Sequence, residues 1–319
     1  MIHPVPPGTR DVLPEEMREL RALTLRLSEA FEGAGYREVS TPSVEYEEVL
    51  RRGDSNAAGA GFRLFDERGQ ILALRSDPTI PIARLVANRY DGVDGPLRFS
   101  YFENAYRSVT TGSGQSREFL QGGVELIGVE GAEGDAEVIA LVVAGLDRAG
   151  LRRHRVGVGD ATLYRDLLSI SDVPESHRPA LLDALVRRDL PGLEALVDRL
   201  PSVGPEARSL LARLPSMRGG VEILDGVDTA VTEGLREVHE LLRDRGVADR
   251  AIFDLGMLRE LGYYTGTIFE IYDPAVPFAL GGGGRYDELL GRFGRPRPAC
   301  GAGLDVTRVH VAQLEEERG

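Results

Sequence analysis

Hydrophobic residues in the first half of the chain follow helical spacing in some segments and alternate in others. Leu20, Leu23, Leu27 and Phe31 recur at steps of three and four, which predicts an amphipathic helix over residues 15–34. Further helices are predicted at 78–90 and 134–150, and strands at 36–44, 62–65, 70–74, 97–106, 119–128 and 155–159. Short polar turns between neighbouring strands favour antiparallel pairing. The pattern therefore predicts an α+β fold, with six or seven mainly antiparallel strands flanked by helices.

The pattern changes at about residue 161, where Leu, Ala, Arg and Asp repeat over more than eighty residues without a convincing strand. Prolines divide this stretch into short helices, at positions 174, 179, 191, 201, 205 and 215. Strand-like alternation returns at 251–255 and 263–272. We therefore expect a core made of residues 1–160 and 248–319, and a helical insertion subdomain at residues 161–247.

Composition and charge exclude several kinds of chemistry. All 38 basic residues are Arg and none is Lys, so Schiff-base chemistry and a Walker-type phosphate loop are excluded. One Cys and five His are too few for a zinc cluster, and we expect neither a metal nor a cofactor. The net charge of −13 disfavours a large nucleic-acid interface. No apolar run approaches the roughly 18 to 20 residues of a membrane helix, and no export signal opens the chain, so we expect a cytoplasmic protein without a membrane partner.

The glycine run 281–284 is the first candidate for chemistry. Four glycines allow the backbone to approach a ligand closely, and Arg285 and Asp287 place both charges beside it. The run lacks the strand, GxGxxG and helix context of a phosphate-binding loop. The other interpretation is a strand-to-helix turn whose two charges pair with each other.

Two strand-like segments carry the other candidates. Alternation in 117–128 places Gln121 and Glu125 on one face, flanked by apolar residues. A buried carboxylate needs a partner, and a bound cationic or amino ligand would supply one; the alternative is a solvent-facing sheet surface. In 261–272, alternation sends Tyr263 and Tyr264 to opposite faces, which is also typical of ordinary sheet packing.

Taken together, the order and spacing of these segments resemble the catalytic core of histidyl-tRNA synthetase, a class II synthetase. The matching segments are PPGTRDVLP, STPSVEY as motif 1 with Pro42, LALRSDPT, AYRSVTTGSGQSREFLQGGVELIG as motif 2 with Arg107, LRELGYYTGTIFE, GGGGRYDELL, and PACGAGLDVTRV as motif 3 with Arg308. The match spans roughly residues 6–312 apart from the insertion, and the LRELGYYTGTIFE and GGGGRYDELL motifs are specific to this family among class II proteins. The resemblance implies a class II synthetase fold, with motif 1 at the interface of a homodimer.

Departures from the family pattern bear on function. Val109 and Thr307 stand where synthetases carry acids that position ATP and its magnesium, so adenylation is not expected. The chain ends soon after motif 3, without the C-terminal anticodon-binding domain, so tRNA is not an expected partner. This combination resembles the branch of the family that serves as the non-catalytic regulatory subunit of short-form ATP phosphoribosyltransferase. That resemblance implies a hetero-oligomer with a separate catalytic subunit, a role in the first step of histidine biosynthesis, and feedback control by L-histidine.

The other function kept open is an amino-acid adenylating or ligating homologue that acts without tRNA. It would require ATP with magnesium to bind, and Arg107, Arg117 and Arg308 would hold the phosphates. The two functions differ in whether this chain or a separate catalytic chain carries the chemistry.

The resemblance also implies a histidine-binding pocket, without catalytic residues of its own. Its candidate residues, carried over position by position, are Asp77, Thr79, Arg107, Gln121, Glu125, Arg259, Tyr263 and Tyr264. By the family's pattern, Asp77, Thr79 and Gln121 would hold the α-amino group of the ligand. Glu125 and Tyr264 would contact the imidazole.

Either Arg107 or Arg259 would bind the ligand's carboxylate through charge-assisted hydrogen bonds. Three substitutions depart from the family pattern. Asp77 is one methylene shorter than the family's Glu, Pro78 removes a backbone N–H, and Gly262 replaces an Asp. The alternative is that these residues survive as scaffold, with histidine bound at a subunit interface.

Overall fold

The computed structural model describes residues 5–54, 61–108, 116–200, 202–257 and 262–318. The helices are α1 Pro14–Gly33, α2 Glu47–Gly53, α3 Thr79–Arg89, α4 Gly131–Ala149, α5 Leu163–Ile170, α6 Arg178–Val186, α7 Leu190–Asp198, α8 Pro205–Arg213, α9 Thr229–Asp244 and α10 Val306–Arg318. The strands are β1 Arg37–Glu38, β2 Val44–Tyr46, β3 Arg63–Phe65, β4 Ile71–Leu74, β5 Leu97–Tyr106, β6 Glu118–Ile127, β7 Arg155–Asp160, β8 Arg218–Gly219, β9 Ala251–Asp254, β10 Thr267–Tyr272, β11 Gly281–Arg285 and β12 Ala299–Asp305. Within these ranges, none of the helices combines the length and the apolar composition that crossing a bilayer requires.

A large sheet organises the chain, with the strand order β1-β5-β6-β12-β11-β10-β7-β9-β8. The β1–β5 and β7–β9 pairs are parallel and the remaining pairs of this sheet are antiparallel. The mainly antiparallel α+β prediction is therefore confirmed, with more strands than the six or seven expected. Several of the additional strands are too short to leave a hydrophobic pattern, since β1 and β8 have two residues each.

The two faces of this sheet pack against different helices. On one face, Val124 and Leu126 of β6 join α1 and α4 in a large hydrophobic cluster. On the other face, Ile127 packs with α3 and with Tyr263 and Tyr286. The alternation in β6 therefore sends Glu125, which lies between Leu126 and Val124, towards α3. This face carries the candidate site.

The strand predicted at 36–44 is interrupted around Pro42. The structure forms β1 and β2 as separate short strands, and Pro42 lies between them. Proline lacks the N–H that a sheet ladder needs, which explains the interruption. β2 belongs to a separate antiparallel sheet with the order β2-β4-β3, in which β3 and β4 form the predicted hairpin.

The glycine run 281–284 is a strand, and the turn interpretation is wrong. β11 pairs with β10 on one side and β12 on the other, in the interior of the large sheet. A Cβ at Gly283 would stand 1.9 Å from the carbonyl oxygen of Gly301. Close packing against the neighbouring strands therefore requires glycine here, whereas glycine usually weakens a strand.

The segment 161–247 contains the helices α5 to α9, as its composition predicts, and one strand that the composition did not indicate. β8 pairs with β9 and extends the large sheet by its last strand. Leu235, Val238 and Leu242 of α9 belong to the same hydrophobic cluster as α4. The division into core and insertion subdomain stays a prediction.

Candidate functional site

The candidate site lies on the α3 face of the large sheet. Gln121 and Glu125 project from β6, and Asp77 and Thr79 lie at the start of α3. Both β6 side chains are buried, with Glu125 1% and Gln121 9% exposed. The solvent-facing alternative for this strand face is therefore wrong, and the two side chains need polar partners inside the protein.

Glu125 receives two hydroxyl donors. Thr79 Oγ1 donates to Glu125 Oε1 at 2.7 Å, and the Tyr286 hydroxyl donates to Glu125 Oε2. Tyr286 follows β11, so the carboxyl group is held between the start of one helix and the end of a central strand. Both of its oxygens are thereby positioned.

Asp77 acts on the first turn of α3. Its Oδ1 accepts hydrogen bonds from the backbone N–H of Thr79 at 2.9 Å and of Ile80 at 3.4 Å, and Ser76 Oγ donates to its Oδ2 at 3.2 Å. The first N–H groups of a helix lack partners within the helix, and a carboxylate satisfies them. Asp77 therefore fixes the position of Thr79, which in turn contacts Glu125.

Burial raises the pKa values of both acids, against different sets of opposing contacts. Burial raises the pKa of Glu125 to about 8; the bonds from Tyr286 and Thr79 oppose the shift, and the charge of Asp77 adds to it. Burial also raises the pKa of Asp77, against its hydrogen bonds from Ile80, Ser76 and Thr79 and against the charge of Arg107. Two buried acids within reach of each other, both with raised pKa values, favour the arrival of positive charge.

Tyrosine rings form the walls around these acids. Tyr263 lies against Tyr264 and Tyr286, with ring centroids 5.0 Å and 5.8 Å apart. Tyr263, Tyr286 and Tyr101 are buried, and burial raises the pKa of each hydroxyl well above its ordinary value. These rings are neutral and exclude water, which strengthens the field of the acids.

Tyr263 and Tyr264 do not lie on opposite faces of a strand as predicted. β10 begins at Thr267; Tyr263 lies in a turn before it, and Tyr264 lies in the irregular segment that follows this turn. The structure brings Tyr263 to the site through that turn, where its ring packs between those of Tyr264 and Tyr286. Alternation within a strand could not have placed them.

Gln121 has capacity for a further hydrogen bond. Its Nε2 donates to the Tyr101 hydroxyl at 3.4 Å, while its buried Oε1 accepts no hydrogen bond from the described residues. An amide oxygen without a donor is costly when buried. An ammonium group bound here would supply the missing donor, and the acids beside it would balance its charge.

Glycines of β12 make room for these side chains. A Cβ at Gly301 would stand 1.9 Å from Glu125 Oε2, and one at Gly303 would stand 2.0 Å from Gln121 Nε2. Gly301 pairs directly with Glu125 in the sheet. The GAG sequence in motif 3 therefore shapes the site, although its glycines carry no functional group.

The candidate arginines are placed differently from the acids. Arg107 is exposed just after β5, with its guanidinium 4.4 Å from the centre of the Phe119 ring, and it acts electrostatically on Asp77. Arg308 stacks on Phe278 and donates to the carbonyl oxygen of Ala279 at 2.9 Å. Arg117 is held by a backbone bond to Gly8, 2.7 Å from its N to the carbonyl oxygen. Arg259 and Val109 lie outside the described residues.

Arg285 and Asp287 pair with each other, as one interpretation of the glycine segment predicted, at 2.8 Å. The guanidinium of Arg285 also forms a buried ion pair with Asp135 of α4, at 2.8 Å. This second contact ties β11 to α4 rather than to a ligand.

Tyr286 and Tyr101 are site residues that the sequence analysis missed. Tyr286 belongs to the GGGGRYDELL motif, so its position in a family-specific motif was the signal that could have indicated it. Tyr101 lies opposite Gly123 in the β5–β6 pair, and its partner's lack of a side chain leaves space for the ring. The signal that could have indicated Tyr101 is a glycine placed opposite an aromatic residue in two paired strands.

Comparisons with known proteins show which family the chain resembles along nearly its whole length. The family model for histidyl-tRNA synthetase matches residues 8–309. ATP phosphoribosyltransferase regulatory subunits of Symbiobacterium thermophilum and Desulforamulus reducens are 41% and 38% identical to the chain, covering 98% of it and 80% and 79% of their own lengths. A crystal structure described as an ATP phosphoribosyltransferase regulatory subunit/histidyl-tRNA synthetase from Bacillus halodurans superposes with a TM-score of 0.89 at 34% identity, covering 98% of this chain and 84% of that one.

Proposed function

The chain belongs to the histidyl-tRNA synthetase family, and from that premise we propose that it is a regulatory subunit of ATP phosphoribosyltransferase. The observation that carries the proposal is similarity over nearly the whole chain to relatives that bear this name, at 41% and 38% identity. The partner would be a separate short-form catalytic chain, and the complex would perform the first step of histidine biosynthesis. A biosynthetic role of this kind fits the cytoplasm.

The chain itself would carry no catalytic residues. Support comes from Thr307, in the first turn of α10, which replaces the acid that the synthetase pattern has before its arginine. Arg308, the next residue, is engaged by Asp305, with 3.4 Å between Nε and Oδ2, and by the carbonyl oxygen of Ala279. These contacts hold the motif 3 arginine within its own chain, and Thr307 offers no carboxylate to position a magnesium ion.

L-Histidine is the effector that we propose for the site. The buried acids Asp77 and Glu125 suit an ammonium or imidazole N–H, and the open acceptor of Gln121 suits an ammonium N–H. Aromatic walls suit the flat imidazole ring. An arginine, either Arg107 or Arg259, would bind the carboxylate.

A homodimer within the larger complex completes the proposal. What supports it is a set of large hydrophobic side chains, each more than 40% exposed, on the small β2-β4-β3 sheet next to motif 1: Val44, Tyr46, Leu64, Phe65 and Ile71. By the strand register, Val44, Tyr46 and Leu64 share one face of this sheet and Phe65 and Ile71 share the other, and exposed apolar patches mark contact surfaces. A second copy of the chain would cover them.

The test is reconstitution with a short-form catalytic chain from the same genome. Formation of phosphoribosyl-ATP is measured for each chain alone, for the mixture, and for the mixture with L-histidine. We expect activity that requires both chains and falls as histidine is added. A mixture that behaves like the catalytic chain alone would contradict the proposal, and amino-acid adenylation by this chain would then be assayed directly.

Glu125→Ala separates the effector site from assembly. The variant should abolish the histidine response, because it removes a proposed ligand contact. It should leave the complex intact, because Glu125 is buried within the chain. Glu118→Ala is the matched control, since Glu118 lies exposed at the other end of β6. Retained feedback in Glu125→Ala would locate the regulatory site elsewhere, such as a subunit interface.

A further inference from the structure

The two acids of the site hold negative charge unequally. Asp77 has three hydrogen-bond donors, of which two are N–H groups at the start of α3, and Arg107 acts on it from outside. A helix N-terminus stabilises an anion further. Asp77 therefore has the stronger support for a negative charge, and we assign a proton shared by the pair to Glu125.

Among the residues that the structure describes, the groups that act on Glu125 are neutral apart from Asp77. The titratable groups that act on it come from each neighbouring element: Tyr101 of β5, Tyr263 before β10, Tyr286 after β11 and Cys300 of β12. Burial raises the pKa of each of these groups, so all four are uncharged at neutral pH, and none of them is a cation. A carboxylate at this position would lie beside another anion, with no positive charge among these partners to balance it.

The hydrogen bonds of Glu125 suit either protonation state. Thr79 and Tyr286 both offer hydroxyl groups, and a hydroxyl can donate to a carboxylate or accept from a carboxylic acid. The contacts therefore persist when the proton leaves. The proton can be exchanged without rearranging the site.

On the basis of the proposed ligand pocket, we propose that the site exchanges a proton for a cation: Glu125 is a neutral carboxylic acid while the site is empty, and it releases its proton when an ammonium-bearing ligand binds. The O–H bond of the acid breaks, its electron pair stays on the carboxylate, and the proton passes to the solvent buffer. The new carboxylate then balances the ligand's positive charge inside the protein. Ligand affinity and proton concentration are linked as a consequence.

The empty site is tested by infrared spectroscopy of the free protein, which needs no ligand. The difference spectrum between wild type and Glu125→Gln at about pH 7 should contain a protonated-carboxyl C=O band, because the pKa of Glu125 lies near 8. Glu118→Gln, at the exposed end of the same strand, should leave that band in place. Absence of a band assignable to Glu125 overturns the proposal.

Asp77→Asn tests whether the negative charge of Asp77, in addition to burial, raises the pKa of Glu125. Removing the neighbouring negative charge should move the titration of the Glu125 band to lower pH, since repulsion from Asp77 raises the pKa of Glu125. A titration that stays in place shows that Asp77 does not act on Glu125, and the argument for which acid holds the proton fails.

The exchange itself is tested by calorimetric titration of L-histidine into the whole chain, in two buffers with different heats of ionisation. At about pH 7, where free imidazole is mostly neutral, we expect release of about 0.9 proton per histidine, falling to about half a proton at about pH 8, and an affinity that rises by less than about tenfold between the two. Glu125→Gln should release none. Binding without proton release overturns the exchange, whereas failure of histidine to bind overturns the proposed ligand and leaves the infrared result to decide the protonation state.

Discussion

Glu103 and Glu125 are buried on the same face of neighbouring strands, but the charges of their partners differ. Glu103 of β5 forms a buried ion pair with Arg75 and also accepts bonds from Ser40 Oγ at 2.6 Å and from the Thr41 backbone N–H at 2.8 Å. Glu125 of β6 has hydroxyl donors and a second acid beside it. The first acid pairs with a cation of the chain, while the second has no cation partner among the described residues. A charge balance completed inside the fold indicates a structural role, and an incomplete one indicates a binding site.

Arg75 connects the two regions along the chain. Its guanidinium donates to the carbonyl oxygen of Thr41 at 2.6 Å and of Asn104 at 2.9 Å, so it joins the motif 1 segment to β5. Two residues later, Asp77 opens α3. The structural ion pair thus anchors the loop that presents the binding residues.

The largest effect is expected when the structural pair is broken. Arg75→Leu leaves Glu103 buried without its cation, which should cost about 3–5 kcal/mol of unfolding free energy. Denaturant unfolding of the chain measures this loss. Arg148→Leu is the control, because the Arg148–Glu29 pair is exposed and contributes at most about 1 kcal/mol. Equal losses in the two variants would mean that the buried pair has no special structural role.

The second prediction concerns the pH dependence of stability. Glu125 has an ordinary pKa of 4.5 and a pKa of about 8 in the folded chain. Between these values the folded state binds more protons than the unfolded state, so stability falls as pH rises, by at most about 1.4 kcal/mol per pH unit. Burial raises the pKa of Asp77 as well, which adds a fall of the same sign.

Unfolding measured at several pH values, for wild type and Glu125→Gln, isolates the contribution of this one acid. The stability of wild type relative to the variant should decrease from about pH 5 to about pH 8. A relative stability that rises over that range would mean that Glu125 is held as an anion, like the acid of an ordinary ion pair.

Much of this arrangement was predictable from the sequence. The alternation in β6 placed Gln121 and Glu125 on one face, and the steps of three and four in α1 gave that helix within a residue at each end. Both patterns arise because one face of the element is buried, so the hydrophobic positions reveal the geometry.

Other parts could not be read from hydrophobic patterns. β11 consists almost entirely of glycine, and its strand conformation is decided by how closely β10 and β12 pack against it. Tyr286 contacts Glu125 although 161 residues separate them along the chain. Such contacts depend on strand order in the sheet, which a central strand without a hydrophobic pattern does not disclose.

A smaller effect is expected when Glu125 loses one hydroxyl donor. Thr79→Val keeps the shape of the side chain but removes the 2.7 Å bond to Oε1, which should cost about 1 kcal/mol of unfolding free energy. The loss should be greatest above about pH 8, where Glu125 is ionised and depends most on its donors. Thr24→Val, which removes a bond to a backbone carbonyl of α1, controls for the general effect of the substitution. A cost that does not change with pH would show that the hydroxyl does not stabilise the carboxylate.

The smallest effect on the folded protein is expected for Arg107→Ala. Arg107 is exposed and its guanidinium rests on Phe119, so its removal should change unfolding free energy by less than about 1 kcal/mol and should leave activation of the catalytic chain unchanged without histidine. Histidine affinity distinguishes the two candidate arginines, because a charge-assisted bond to the ligand's carboxylate contributes about 1.5–3 kcal/mol, or roughly a tenfold to hundredfold change in Kd. If Arg107 makes that bond, Arg107→Ala weakens binding by this factor and Arg259→Ala weakens it less; the reverse order assigns the carboxylate to Arg259. A large loss of activation without histidine would instead mean that Arg107 contacts the partner chain, and the comparison between structural and binding charges would then extend to the subunit interface.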